Sequence, residues 1–200
     1  MIRVIRIGLA SALFLAVAAE RAPGALITFE NLAPPGFLVN VNPANPYREA
    51  GFRLTPTNGL SAVFDATASV DMPGNPTDFF GFDESNIITL TNDSGVPFTL
   101  SSLLLGPLTN AMSPSIDITL VGNLAGGGAL TRTFTGLRTA TLVTLSDFTN
   151  LTSVAFRTTA DAGLDNIDVT PVPEPSSISL MGLGLVGGVL LMRRRRIHAV

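Results

Sequence analysis

The chain has 200 residues, 12 basic against 15 acidic, with one tyrosine and neither tryptophan nor cysteine. Seven of the arginines sit near the two ends (Arg3, Arg6, Arg21 and Arg193 to Arg196), which leaves Arg48, Arg53, Arg132, Arg138 and Arg157 against 13 acids between Leu26 and Thr170. So acidic a middle excludes nucleic acid as a partner, which needs a basic face. With no cysteine, and with the chain's only histidine, His198, lying outside it, this middle also excludes a disulfide framework, Ser-His-Asp or Cys-His catalysis, and His- or Cys-based zinc and copper sites.

In chain order, residues 1–25 read as a secretory signal peptide. Arg3 and Arg6 supply the positive start, Ile7 to Ala19 the apolar stretch, and Ala16-Val17-Ala18 or Ala22-Pro23-Gly24 a small-residue cleavage site. From Leu26 to Thr170 short β-rich runs alternate with turn clusters such as Ala33-Pro34-Pro35-Gly36, Met72-Pro73-Gly74-Asn75-Pro76 and Gly126-Gly127-Gly128. Ile116, Ile118 and Leu120 alternate with Asp117 and Thr119, and Val154 and Phe156 repeat the pattern, as a half-buried strand requires. No stretch of this region holds a helical period. The expectation is an all-β domain over 26–170, an antiparallel β-sandwich or jelly roll of roughly ten strands. The long segment from Ala33 to Glu49 reads as an exposed irregular crossover carrying Tyr47. The phenylalanines Phe37, Phe52, Phe64, Phe79, Phe80 and Phe82 read as core, with one of the adjacent Phe79 and Phe80 expected to face out.

After the domain comes a linker, 171–177, containing Val172-Pro173-Glu174-Pro175. Its prolines favour extended, exposed backbone. Ile178 to Met192 carries no charge and would form a helix of about 22 Å, short against a hydrocarbon core of about 30 Å unless flanking residues extend it. Arg193, Arg194, Arg195 and Arg196 then act as a stop-transfer cluster and put the tail 193–200 in the cytoplasm. Gly184 and Gly188 are spaced to pack that single transmembrane helix against a partner helix.

The triplet, the glycine-rich apolar helix and the terminal arginines, in that order, resemble the PEP-CTERM sorting signal of bacterial envelope proteins. The resemblance implies processing near the triplet by an exosortase, a membrane transpeptidase, and an association with exopolysaccharide. The competing reading is an ordinary tail anchor with a proline linker. A second resemblance covers most of the domain. ITFEN at Ile27–Asn31, YREAGF at Tyr47–Phe52, ITLTNDSGVPFTL at Ile88–Leu100, VGNLAGGGALTRTF at Val121–Phe134, LTSVAF at Leu151–Phe156 and LDNIDV at Leu164–Val169 are similar, in this order, to the β-sandwich common among PEP-CTERM proteins. That domain is itself similar in pattern to carbohydrate-binding jelly rolls. The resemblance brings no catalytic residue.

The residues offer three candidate chemistries. If the first and last strands are neighbours, Glu30 approaches Asp165 and Asp168 and the set could bind calcium. In a regular strand Asp165 shares the core face of Ile167 and Val169, so a carboxylate there requires a strand end, a bulge or a metal. Acid pairs within Asp78, Asp83 and Glu84 are the only material for a glycosidase, and nothing places two of them in a cleft, so the protein is read as no enzyme. A carbohydrate-binding face would rest on Asn, Asp, Thr and Tyr47. The sequence therefore predicts an exported protein, held in the inner membrane as a precursor and maturing at the cell surface or in the extracellular matrix. Its role there is structural or adhesive. Its partners are the export machinery and an exosortase, and it has no certain cofactor. The alternative is a carbohydrate-binding module with bound calcium and a polysaccharide partner.

Overall fold

In the computed structural model the described residues are 23–109 and 115–172. The alternation of apolar and polar side chains becomes thirteen strands. These are β1 (Ala25–Ile27), β2 (Leu38–Val41), β3 (Tyr47–Glu49), β4 (Phe52–Pro56), β5 (Ser61–Phe64), β6 (Phe79–Phe82), β7 (Ile88–Asn92), β8 (Phe98–Pro107), β9 (Ile116–Leu124), β10 (Ala129–Leu137), β11 (Thr141–Thr144), β12 (Leu151–Thr158) and β13 (Ala162–Pro171). Every pairing among them is antiparallel.

The pairings separate into two halves. One runs β2-β5-β6-β13-β8-β11, with β1 beside the far end of β13. The other runs β3-β4-β7-β12-β9-β10. One residue pair, Leu151 with Phe98, joins them. The inner faces share one core. Ile116, Ile118, Leu120, Val154, Phe156, Ile88 and Leu54 come from one half; Leu100, Leu103, Leu105, Leu164, Ile167, Val169 and Phe80 come from the other. Each buried side chain of this size contributes about 1.5–3 kcal/mol of transfer free energy. Phe52 and Phe98 meet edge to face across the halves, centroids 5.3 Å apart.

The β2-to-β11 half also buries its outer face. Met72, Phe79 and Leu108 form a second core with Phe64, Val70, Leu104 and Ala140 around it. This is why Phe79 and Phe80, on opposite faces of β6, are both fully buried, against the expectation that one would be exposed. Phe64 stacks on Phe79 at 5.3 Å. Small residues make the room: Ala62, Gly81, Gly163 and Gly106 are consecutive cross-strand partners. A Cβ on Gly81 would stand 2.6 Å from Phe64, and one on Gly106 2.9 Å from the Ala140 backbone.

Other expectations need correction. The segment from Ala33 to Glu49 is not wholly irregular: it contains β2 and β3. Phe37 is not core but 67% exposed, beside the edge strand β2. The first run ends at Ile27, because Phe29 and Asn31 take left-handed backbone (φ 62° and 61°) and turn the chain out of the sheet. Among the described residues no helix is long and apolar enough to cross a membrane. The signal peptide, Glu174 with its two flanking prolines, the helix Ile178–Met192 and Arg193 to Arg196 lie outside the described residues.

Candidate functional site

The first and last strands are paired, Leu26 opposite Asp168 and Ile27 opposite Ile167. What separates the two aspartates is a bulge. The register of β13 on β8 shifts between Asp165 and Asp168, and Asn166 sits at φ 48°. The extra residue lets Leu164 and Ile167 both enter the inner core. Asp165 is set opposite Leu104, which packs on the outer core.

There Asp165 is fully buried under the Met72–Thr77 segment. Its Oδ2 accepts from Asn75 Nδ2 (2.9 Å), Thr77 Oγ1 (2.7 Å) and Asn166 Nδ2 (3.2 Å), and its Oδ1 from the Asn166 amide (2.6 Å). Burial pushes the carboxyl up to about 6; these donors oppose the rise, and the charge of Glu30 adds to it. Among the described residues no three acidic or histidine side chains stand close enough to hold a metal ion, so Glu30, Asp165 and Asp168 are not assembled as a ligand set. The groups around Asp165 are hydrogen-bond donors, which a cation would have to displace.

Glu30 follows the left-handed Phe29, which is fully buried against Tyr47 and Phe80. Positive φ at a bulky residue is strained and needs support. Glu49 supplies it: Oε2 accepts from the amides of Thr28 (3.0 Å) and Phe29 (3.1 Å) and from the Tyr47 hydroxyl (2.6 Å). Tyr47 is thus buried and spoken for, not an exposed sugar contact. Burial, then its bond to Glu49, raises its pKa far above the phenol range. Glu30 is raised by partial desolvation and by the charges of Asp78, Glu49 and Asp65.

The raised pKa of Asp165 has a sign. Between its usual 3.8 and about 6 the folded state holds a proton that the unfolded chain has released. Stability from this group is therefore fully present below pH 3.8 and is lost as pH rises through 6, an effect on the order of 2–3 kcal/mol. In urea melts with a chelator present, the unfolding free energy is expected to fall from pH 4.5 (about) to about 6.5, and Asp165→Asn to flatten that slope.

A second feature is open. A groove of about 270 Å³ crosses the outer face of β2, β5 and β6, bounded by Leu38, Asn40, Leu60 and Phe64, with Gly59 and Gly81 in its lining and Asp83 and Asp161 at its margin. Leu38 and Leu60 are 45% and 64% exposed. Asp161 is raised by partial burial and by the charges of Glu84 and Asp83. Of the acids considered for catalysis, Asp78 is buried and accepts the Ala66 amide, and Asp83 caps Ser85 through both its amide and its hydroxyl. Both are engaged in holding turns. The groove is not legible in the sequence, because it is framed by β2, a four-residue strand with no local pattern of its own.

Residues 171–196 match the family model of the PEP-CTERM protein-sorting motif. Such a motif implies export and exosortase-mediated sorting to the cell surface. No curated protein matches the sequence. Among solved structures the chain is similar to the CBM22-1-CBM22-2 tandem domain of Paenibacillus barcinonensis Xyn10C, at 11% identity and TM-score 0.41, over 80% of this chain and 48% of that one. It is also similar to TmCBM61, solved with β-1,4-galactotriose, at 9% identity and TM-score 0.34, over 62% of this chain and 90% of that one. A third similarity is to the family 11 carbohydrate-binding module of Clostridium thermocellum Lic26A-Cel5E, at 10% identity and TM-score 0.30, over 72% and 99%. The chain thus spans about half the length of the first of these, 48%.

Proposed function

We propose that the β-sandwich is the cargo of its sorting signal, a structural or adhesive protein of the bacterial envelope or extracellular matrix. One observation carries this reading. Among the described residues the last backbone hydrogen bond, from the Val172 amide to the Pro97 carbonyl (2.7 Å), falls at the residue before Pro173-Glu174-Pro175. The compact unit Ala22–Val172 stops immediately before the triplet. A cut near the triplet would therefore release the sandwich without breaking any strand. In this reading residues 1–25 direct export, Ile178–Met192 holds the precursor in the inner membrane with Arg193–Arg196 inside, and the exosortase releases or transfers the domain.

The test is intact mass and fractionation from the native host, with and without its exosortase. The expected mature form lacks about the first 18 residues and ends near Pro173–Pro175. A protein that keeps Arg193–Arg196 and stays in the inner membrane in both strains would reduce the tail to a plain anchor. Deleting Pro173-Glu174-Pro175 should leave the precursor unprocessed, read as an unchanged mass on the same gel fractions.

A second reading, a carbohydrate-binding module with structural calcium, would require the ion to displace the donors that hold Asp165 and to draw Glu30 onto it. Its signature is a Tm that rises at millimolar calcium in the wild type and not in Glu30→Ala. With no such rise, and no retention on a glycan array, the structural reading stands alone.

A further inference from the structure

We propose that the groove across β2, β5 and β6 binds a cationic glycan, an amino-sugar unit whose ammonium meets Asp161 and Asp83 while its ring lies on Leu38 and Leu60. The proposal deepens the adhesive reading above and rests on it for biological context only. Three observations lead to it. The first is charge. Asp83 and Asp161 line the groove, and the repulsion of Glu84 and Asp83 adds to partial burial in raising Asp161. No cation answers them: the ion pairs among the described residues are Arg48 and Arg53 with Asp93, and Arg132 with Asp147. The Asp161 and Glu84 side chains make no hydrogen bond or ion pair among the described residues. A positive ligand would relieve that repulsion.

The second is shape. At about 270 Å³ the groove lies just under the range of about 300–1,000 Å³ that holds drug-sized ligands, so it suits a short stretch of sugar. Glycine and alanine at Gly59, Gly81 and Ala62 keep its lining low, and the exposed Asn40 offers an amide to hydroxyls. The third is apolar surface. Leu38 and Leu60 are large and exposed, and both line the same groove. A ring with an apolar face would cover both, whereas a lone lysine tip at the carboxylates would leave them in water. The missing tryptophan is no obstacle, because the charge supplies what stacking would.

The probe is a fully de-N-acetylated glucosamine oligomer, titrated into the full-length protein, with the N-acetylated oligomer of equal length and oligolysine as comparators. Saturable binding of the amino oligomer alone is expected. Asp161→Asn should weaken it about five- to tenfold, Leu60→Ala about threefold, and Asp147→Asn, far from the groove, not at all. Unchanged Tm values will show that each variant is folded. Equal binding of the acetylated oligomer removes the charge argument and overturns the proposal. So does preferential binding of oligolysine, which makes the groove a basic-peptide site, and so does no binding. None of these outcomes touches the mass-based test of sorting, so the two readings fail separately.

Discussion

Asp165→Ala is expected to cost the domain about 3–5 kcal/mol at pH 7, among the largest effects of any single change. The substitution removes one acceptor that four donors share. Asn75 Nδ2 lies in a buried setting and Asn166 N and Thr77 Oγ1 in half-buried ones, and the Thr77 hydroxyl has Asn75 Oδ1 as a second acceptor. Each donor left unpaired away from water costs about 1–3 kcal/mol, less whatever new water can enter. The bulge at Asn166 loses its internal tie at the same time, and with it the Met72–Thr77 segment loses its anchor to β13. Asp165→Asn keeps the shape and one acceptor oxygen, so it should fall between wild type and alanine. Urea unfolding at pH 7 with a chelator would measure the order. If alanine and asparagine are alike and both near wild type, the carboxylate does not organise this segment.

Gly106→Val is expected to reduce stability by about 3 kcal/mol or more, enough to lower the soluble yield sharply. A Cβ at Gly106 would stand 2.9 Å from both the amide nitrogen and the Cα of Ala140, and 3.2 Å from Met72 Cγ. Backbone is the obstacle, and it is pinned, because the Ala140 amide donates to the Pro73 carbonyl at 2.6 Å. Valine would either break that bond or lift the outer core off the sheet. Gly126→Ala is the matched control. Its Cβ meets nothing within 4 Å, so it should stay within about 0.5 kcal/mol of wild type. Thermal melts of the two variants side by side give the answer. A well-folded Gly106→Val would mean that the outer core is loosely packed.

The strands were legible because their period is two and their turns are written in glycine, proline and asparagine. Ile116, Ile118 and Leu120 face inward as their spacing requires, and so do Val154 and Phe156. What escaped was set by tertiary context. β2 and β3 are four and three residues long and lie among prolines, so no local pattern marks them. The double burial of Phe79 and Phe80 is not legible, because nothing local says that Met72 will cover the outer face of β6. Tyr47 reads as loop, yet it becomes core because Glu49 takes its hydroxyl. Asp165 was the most informative residue. Its phase on the core side of β13 demanded a strand end, a bulge or a metal, and the bulge at Asn166 is there. The groove needed β2 to exist before it could be seen.

The last strand has one more consequence. β13 is ten residues long and holds a partner on each side, β8 along its length and β6 then β1 on the other flank. Any tension passed to the sandwich from beyond Val172 enters along the axis of this central strand. The load is then borne as shear by many hydrogen bonds at once, rather than peeled from an edge one bond at a time. A tethered sandwich built this way should resist pulling from its C-terminal side far better than a pull on β2 or β10, each paired on one flank only among the described residues.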